Sequence, residues 1–210
     1  MLRITSARLI ISVGALWALC LAGAVQAADL SVTVKDSNGR PVADAVVIAD
    51  APARSPVPGS FTISQKSMAF VPYVLVIPVG STVEFDNLDP FRHHVYSFSP
   101  AKKFELKLFG AGQTRPVRFD KPGLVAIGCN IHDSMQAFIQ VVSTPWAGTS
   151  DRTGRVVLRG VPTNLRKLRV WHPHLRAPAN QLVVAVDPRR STSVPVTVKL
   201  RRPAPAHHDY

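Results

Sequence analysis

The feature that most constrains this chain is a run of short apolar segments between residues 61 and 142, separated from one another by turn-forming residues. The 18 Pro and 12 Gly of the 210 residues follow no fixed period, so they indicate frequent turns rather than a fibrous repeat. Seven or eight short segments at this spacing are typical of an antiparallel sandwich or barrel. We therefore expect an all-β domain over 56–144, with strands at Tyr73–Pro78, Thr82–Phe85, His93–Phe98, Phe104–Phe109, Arg115–Phe119, Leu124–Gly128 and Ala137–Val142.

Two stretches flank this region and also predict strands. Residues 28–55 contain Leu30–Val34 and Val46–Ile48, and residues 145–200 contain further segments at Arg155–Leu158, Leu165–Trp171, Leu182–Val186 and Val194–Leu200. Neither stretch has enough strands to bury a sheet face alone. We predict that the two form one smaller β-sandwich, with the 56–144 domain inserted between them. The alternative is an extra N-terminal strand with a separate C-terminal appendage, and residues 201–210 are expected to be a disordered tail.

The N-terminal segment, residues 1–27, has the composition of an export signal. Two arginines precede an apolar run from Leu9 to Val25, and the small side chains near its end suit cleavage after Ala27. A transmembrane anchor is the alternative, although the run is near the lower length limit for a span. We predict a soluble protein in the periplasm or outside the cell. Of the two Cys, this chain then keeps only Cys129.

The formal net charge of +12 is concentrated at the C-terminal end. Two positive charges leave with the predicted signal peptide. Residues 145–210 carry 12 basic and 3 acidic side chains, a net of +9, whereas residues 56–144 carry 8 and 6, a net of +2. Because the basicity is confined to one flank, we expect no nucleic-acid partner. The flank is a candidate face for an acidic protein or for contact with a membrane surface.

The strongest local signal is the segment Cys129-Asn130-Ile131-His132-Asp133-Ser134-Met135, directly after a predicted strand. It places a thiolate, an imidazole and a thioether at intervals of three residues. Two histidines and one cysteine with a weak axial methionine are the ligands of electron-transfer copper sites. His93, 36 residues upstream of Cys129 on another predicted strand, is a candidate for the second imidazole. Zinc could use the same ligands, but the thioether favours copper.

The region from Phe61 to Val142 resembles the cupredoxins of the plastocyanin and amicyanin group. The whole chain also resembles exported cupredoxin-like proteins labelled methylamine-utilisation proteins. The resemblance implies a Greek-key β-sandwich that binds one copper ion, cycling between Cu(I) and Cu(II), through His93, Cys129, His132 and Met135. The matching segments are Val79–Phe85, Asn87, His93–Val95, Phe119, Pro122-Gly123 and the Cys129 loop, whose short spacing is most similar to amicyanin. The two flanks resemble transthyretin-like and carboxypeptidase-regulatory sandwiches.

Two positions depart from the cupredoxin pattern. His94 stands where these proteins usually have the Asn that tethers the cysteine loop. Strand alternation directs His93 and His94 to opposite faces, so only one can point inward, and the alignment favours His93. His94 and Asn87 remain candidates for an alternative ligand or a supporting hydrogen bond. Gly128 precedes Cys129 where an aromatic residue is common, which leaves the spectroscopic type open.

Three functions fit this sequence. The leading one is transfer of single electrons between redox partners, with His132 near the electron's exit and an acidic cytochrome or dehydrogenase as the expected partner. The second is copper storage or delivery, although only three Met occur. The third is a surface β-sandwich binding module with incidental metal binding. A catalyst is not expected, because the other histidines, His172 and His174 among them, are isolated or terminal and do not indicate a second copper centre.

Overall fold

The computed structural model describes residues 26–51 and 55–201, which form sixteen β-strands and one 3-10 turn at Pro178–Asn180. The predicted signal peptide, residues 1–27, and the predicted tail, residues 201–210, fall outside this description apart from their innermost residues. In the described ranges, no helix has the length and apolar character needed to cross a membrane. The strands are β1 (Ala27–Asp36), β2 (Val46–Ala49), β3 (Ser60–Lys66), β4 (Ala69–Val71), β5 (Val74–Pro78), β6 (Ser81–Asn87), β7 (His93–Ser99), β8 (Lys102–Phe109), β9 (Thr114–Phe119), β10 (Gly123–Gly128), β11 (Gln136–Val142), β12 (Ala147–Thr149), β13 (Arg155–Pro162), β14 (Lys167–Trp171), β15 (Gln181–Ala185) and β16 (Ser193–Val198).

The larger sandwich consists of β3 to β11. One sheet has five strands in the order β5-β11-β10-β7-β8, and the facing sheet has four in the order β4-β3-β6-β9. Buried side chains of both sheets form one apolar core, which includes Phe85, Phe109 and Phe119. Burying an aromatic side chain of this size contributes about 1.5–3 kcal/mol. The all-β fold predicted from the sequence is therefore confirmed.

The sheets of this sandwich are mixed, whereas the strand spacing predicted an antiparallel arrangement. β3 runs parallel to β6, and β5 runs parallel to β11. Parallel neighbours need a connection that leaves and re-enters the sheet. Here that connection is made by other strands, because β5 of the facing sheet lies between β3 and β6 along the chain. The strand spacing contains no information on which strands become neighbours.

The smaller sandwich combines strands from the two ends of the described chain. β1 lies between β13 and β16, and β2 lies between β12 and β14, with β15 at the far edge. Their buried side chains form a second apolar core, to which Leu30, Val47 and Leu168 belong. In the ladders of the described residues, strands from 27–49 pair with strands from 147–198, and strands from 60–142 pair among themselves.

A third apolar cluster joins the two sandwiches. Val46, Ile48 and Trp171 of the smaller sandwich pack with Val74 and Val142 of the larger one. The Trp171 ring also meets the ring of Phe138 edge-on, with 5.4 Å between their centroids. This contact lies on the five-stranded sheet of the larger sandwich, to which Phe138 belongs.

Candidate metal centre

Three candidate ligands converge at one end of the larger sandwich. His93 is the first residue of β7, Cys129 directly follows β10, and His132 lies in the loop from β10 to β11. β7 and β10 are neighbours in the five-stranded sheet, paired through Tyr96 and Gly128. The pairing brings a residue at the start of one strand beside a residue at the end of the other, although 36 residues separate them.

The donor atoms face one another at distances that suit a single metal ion. Cys129 Sγ lies 3.9 Å from His93 Nδ1 and 3.8 Å from His132 Nδ1, and all three donor atoms lie within 4.8 Å of one another. With metal–sulfur and metal–nitrogen bonds of about 2.3 and 2.05 Å, the sulfur and nitrogen atoms would lie about 3.8 Å apart at a bond angle of 120°. At the tetrahedral angle they would lie about 3.6 Å apart. The observed distances are close to both values, so the three side chains fit around one metal ion, and His, Cys and His are a donor set that copper takes.

The fourth predicted ligand, Met135, is held in place by the closed loop. The Cys129 N–H donates to the Met135 carbonyl at 3.2 Å, and the Met135 N–H donates to the His132 carbonyl at 2.9 Å. Met135 is buried and lines the same cavity as Cys129. The loop thus fixes the thiol and places the thioether side chain inside the sandwich beside it.

The second ring nitrogen of His93 has a carboxylate partner that the sequence did not indicate. His93 Nε2 lies 2.8 Å from Asp89 Oδ2, and both side chains are buried. The Asp89 carboxylate also accepts the N–H groups of Ser67 at 2.6 Å and Met68 at 3.0 Å. This partner assigns the proton of neutral His93 to Nε2, so the lone pair of Nδ1 is directed at the thiol.

The same contacts keep Asp89 ionised. Burial raises the pKa of its carboxyl, but the Met68 N–H, the His93 ring and the Ser67 N–H together outweigh burial and lower the pKa below its ordinary value. Asn87, predicted to support the site, accepts the Asp89 N–H at 3.0 Å and donates to the carbonyls of Phe91 and Phe109. Asn87 therefore shapes the segment that carries Asp89 and His93.

His94 lies outside the group of donor atoms. Its Nε2 is 3.0 Å from Glu105 Oε1, across the pair of strands β7 and β8. Its Nδ1 is buried without a hydrogen-bond partner in the part of the chain that the structure describes. Of the two adjacent histidines, the structure places His93 beside Cys129, which is the histidine that the alignment favoured.

The histidines after β14 do not form a second cluster of this kind. Over residues 26–51 and 55–201, His93, Cys129 and His132 are the one group of three or more side chains able to hold a metal ion. The His172 ring is buried and its Nδ1 accepts the N–H of His174 at 3.1 Å. Desolvation and the neighbouring His174 lower the pKa of His172 to about 4. These contacts give His172 a structural role in the smaller sandwich.

Comparison with known proteins gives structural matches only. The sequence matches no protein-family model and no curated protein. A copper-containing nitrite reductase from Thermus scotoductus SA-01 is 30% identical over 54% of this chain and 28% of its own chain, with a TM-score of 0.39. A purple cupredoxin from Nitrosopumilus maritimus is 22% identical over 39% of this chain and 98% of its own, with a TM-score of 0.35. Amicyanin from Paracoccus versutus is 18% identical over 46% of this chain and 97% of its own, with a TM-score of 0.36.

These TM-scores are low, and the chain spans about a quarter of the length of the nitrite reductase. The evidence for the metal centre is therefore its own geometry.

Proposed function

We propose that this chain is an exported carrier of single electrons that holds one copper ion through His93, Cys129, His132 and Met135. The observation that supports this proposal is the approach of two imidazole Nδ1 atoms to one buried thiol at 3.8 and 3.9 Å. Bound copper would supply a one-electron couple between Cu(I) and Cu(II). The chain provides one soft sulfur and two nitrogen donors, a mixture acceptable to both oxidation states.

The protein's contribution to electron transfer is to keep these donors still. His93 is fixed at Nε2 by Asp89, and Cys129 is fixed by its N–H bond to Met135. Because the side chains move little between the two states, little reorganisation accompanies each transfer. Cys129 is 3% exposed and Met135 is buried, so these two candidate donors are largely shielded from solvent. These features favour a carrier over a catalyst.

An apolar patch around His132 would be the docking surface for a redox partner. We call the exposed Phe91 and Ile131, together with His132, the His132 patch. The Phe91 ring lies 5.8 Å from the His132 ring and 5.1 Å from the His93 ring, measured between centroids. Transient redox complexes bury small interfaces, and a few exposed apolar side chains are sufficient for them.

The charge of the chain favours an acidic partner, such as a cytochrome or a dehydrogenase. The net charge of +9 over residues 145–210 would attract an acidic protein and could also hold the carrier at an anionic membrane surface. The segment 1–27 supports export to the periplasm or outside the cell. A single thiol bound to a metal would also be protected from oxidation in that compartment.

The test is to add Cu(II) to the purified exported chain and to record metal content, visible spectrum and reduction potential. We expect one equivalent of copper and an intense thiolate-to-copper absorption band. Cys129→Ser should abolish the band and His93→Gln should shift or abolish it, whereas the matched control His94→Gln should keep it. A colourless protein that binds Cu(I) alone would indicate storage or delivery instead. A chain that binds no copper would favour a binding module.

A further inference from the structure

The two sheets of the smaller sandwich have outer faces with different surroundings. The four-stranded sheet buries Val47 and Val170 in the core of the smaller sandwich, and its opposite face packs Ile48 and Trp171 against the larger sandwich. The three-stranded sheet of β13, β1 and β16 supplies the other half of that core. Its outer face therefore lies on the side of the molecule away from the larger sandwich. The separation is about 20 Å, or two spacings between stacked sheets.

Strand alternation identifies the side chains of this outer face. On β1 every second side chain is buried in the core, so Ser31, Thr33 and Lys35 point outward. Arg155 of β13 is the register partner of Thr33 and is exposed, so it lies on the same face. Its Nε donates to Ser31 Oγ at 3.1 Å, which confirms that the two side chains are on one side of the sheet.

A β-bridge after β16 widens the face and adds further positive charges. Leu175 and Leu200 pair across this antiparallel bridge, and both side chains pack on the core. Arg176 and Lys199 are opposite one another, because the Arg176 N–H donates to the Lys199 carbonyl at 2.8 Å. Both are exposed and, by alternation, point to the outer face, and Arg201 does the same.

The positive charge on this face is largely unpaired. The carboxylate that alternation places on the outer side of β1 is Asp29, which pairs with Arg159 at 3.4 Å. The other cations of the face form no ion pair within the part of the chain that the structure describes. We call them the cationic face, and they are Lys35, Arg155, Arg176, Lys199 and Arg201.

The chemistry of the cationic face favours a lipid surface over a protein. Protein interfaces have an apolar centre in which aromatic side chains are enriched. Between the cations, the outward positions of β13, β1 and β16 carry mainly short hydroxyl side chains, namely Ser31, Thr33, Ser193 and Thr197. These outward positions hold no aromatic residue, and Val157 among them is 39% exposed. A sheet face that presents cations above short polar groups is complementary to a flat layer of anionic headgroups.

We infer that the cationic face docks the chain on an anionic lipid bilayer, with the larger sandwich directed away from the membrane. The role of this contact in electron transfer rests on the proposed function, whereas the contact itself needs no copper. Each Lys or Arg within a Debye length of the headgroups adds to the attraction. Docking through this sheet leaves the candidate metal centre, in the other sandwich, accessible to a redox partner.

The test measures binding of the purified exported chain to lipid vesicles by co-sedimentation, with and without copper. Phosphatidylcholine vesicles that contain about 30% phosphatidylglycerol are compared with vesicles of phosphatidylcholine alone. At about 20 mM salt we expect binding to the anionic vesicles only, with the same affinity in both metal states. The binding should be lost at about 0.5 M salt, where the charges are screened.

The variant K35Q/R176Q/K199Q removes three charges of the cationic face. Each Lys or Arg near an anionic surface contributes about fivefold in affinity, so we expect binding to weaken on the order of 100-fold. The three side chains are exposed, so the variant should keep the urea midpoint of the unmodified chain.

The matched control K66Q/K103Q/K121Q removes three exposed charges from the larger sandwich. These lysines also form no ion pair among the described residues, so the two variants differ in the place of the charges and not in their number. The control should weaken binding less than about threefold, because its positions lie more than a Debye length from the docked face.

Three results would overturn the inference. They are equal weakening by the two triple variants, equal binding to neutral vesicles, and tighter binding to the soluble acidic polysaccharide polygalacturonate than to anionic vesicles at the same concentration of negative charge. With a normal copper band, each of these results would leave the proposed function intact. Conversely, a chain that never forms the copper band but binds anionic vesicles through these residues would refute the proposed function and leave the membrane contact standing.

Discussion

Asp89 supports the candidate metal centre without being one of its predicted ligands. Its carboxylate sits behind His93, buried and accepting two backbone N–H groups as well as the ring nitrogen. A fixed negative charge behind a ligand favours the more positive oxidation state of a metal and makes the imidazole a stronger donor. In the proposed function, Asp89 is therefore a positioning residue that also lowers the reduction potential.

We predict that Asp89→Asn raises the reduction potential of the copper-loaded protein. Loss of one charge about 7 Å away, at an effective dielectric constant of 20, corresponds to about 2.4 kcal/mol, or on the order of 100 mV. The potential is measured by redox titration of the visible band. The control is Asp120→Asn, which removes an exposed carboxylate paired with Arg118 and should leave the potential nearly unchanged. Equal shifts in the two variants would show that Asp89 acts only through the net charge.

Single residues also show what the sequence could reveal about the site. The sequence predicted His93, Cys129, His132 and Met135 as ligands from their spacing and alignment. In the structure the donor atoms of His93, Cys129 and His132 lie within 4.8 Å of one another, and Met135 lines the same cavity as Cys129. Asp89 was not identified, because an acidic residue four positions before a histidine carries no signal until the intervening loop is folded. The pairing of Tyr96 with Gly128 was not predicted either, because it depends on which strands become neighbours.

At the scale of elements, strand positions were predictable and strand neighbours were not. Alternating apolar residues identified most strands from β5 onwards, whereas the short β4 and β12, of three residues each, have too few residues for a pattern. The parallel pairs β3–β6 and β5–β11 depend on contacts between distant segments. Local periodicity records which face of a strand is buried and contains nothing about the adjacent strand.

The segment after β14 gives the smaller sandwich a predicted dependence on pH. The pKa of buried His172 is about 4 in the folded chain, against about 6.5 when unfolded. Between these values the unfolded chain binds the proton and the folded chain does not, so folding is weakened as the pH falls. The stability is fully present above about pH 6.5, and we expect a loss of about 1–3 kcal/mol on reaching pH 4, the lower figure allowing for solvent screening.

This dependence can be measured by urea unfolding of the metal-free exported chain from pH 7.5 to 4. Tryptophan fluorescence reports on the smaller sandwich, because Trp146 and Trp171 both pack there. His172→Gln cannot titrate, and its unfolding free energy should fall less with acidity. The exposed substitution Arg176→Gln is the control and should behave as the unmodified chain does. A pH profile that is the same in all three proteins would refute the assignment.

At the scale of the whole molecule, the two sandwiches differ both in the strands that they pair and in their net charge. The nearly neutral segment 56–144 contains the candidate metal centre, and the segment with a net charge of +9 belongs to the other sandwich. The small apolar cluster around Trp171 holds the two together. In the proposed function, electrostatic attraction of a partner and electron exchange would therefore belong to different parts of the chain.

The last prediction is that the larger sandwich is an inserted domain that folds independently. Residues 56–144 expressed alone should fold, because their strands pair among themselves and have their own core. They should also form the same copper band as the full chain. Residues 145–201 alone should not fold, since β13 would lose its partner β1, and β12 and β14 would lose β2.

A fusion of residues 28–50 to 145–201 through a short flexible linker restores those pairings and is the matched control for that failure. It should show cooperative unfolding by tryptophan fluorescence and circular dichroism. Removal of the cluster around Trp171 should make each part somewhat less stable than in the full chain. If 145–201 folded cooperatively without residues 28–50, the C-terminal part would be a separate appendage. This result would exclude the insertion, because the strands of residues 145–201 would then not need β1 and β2.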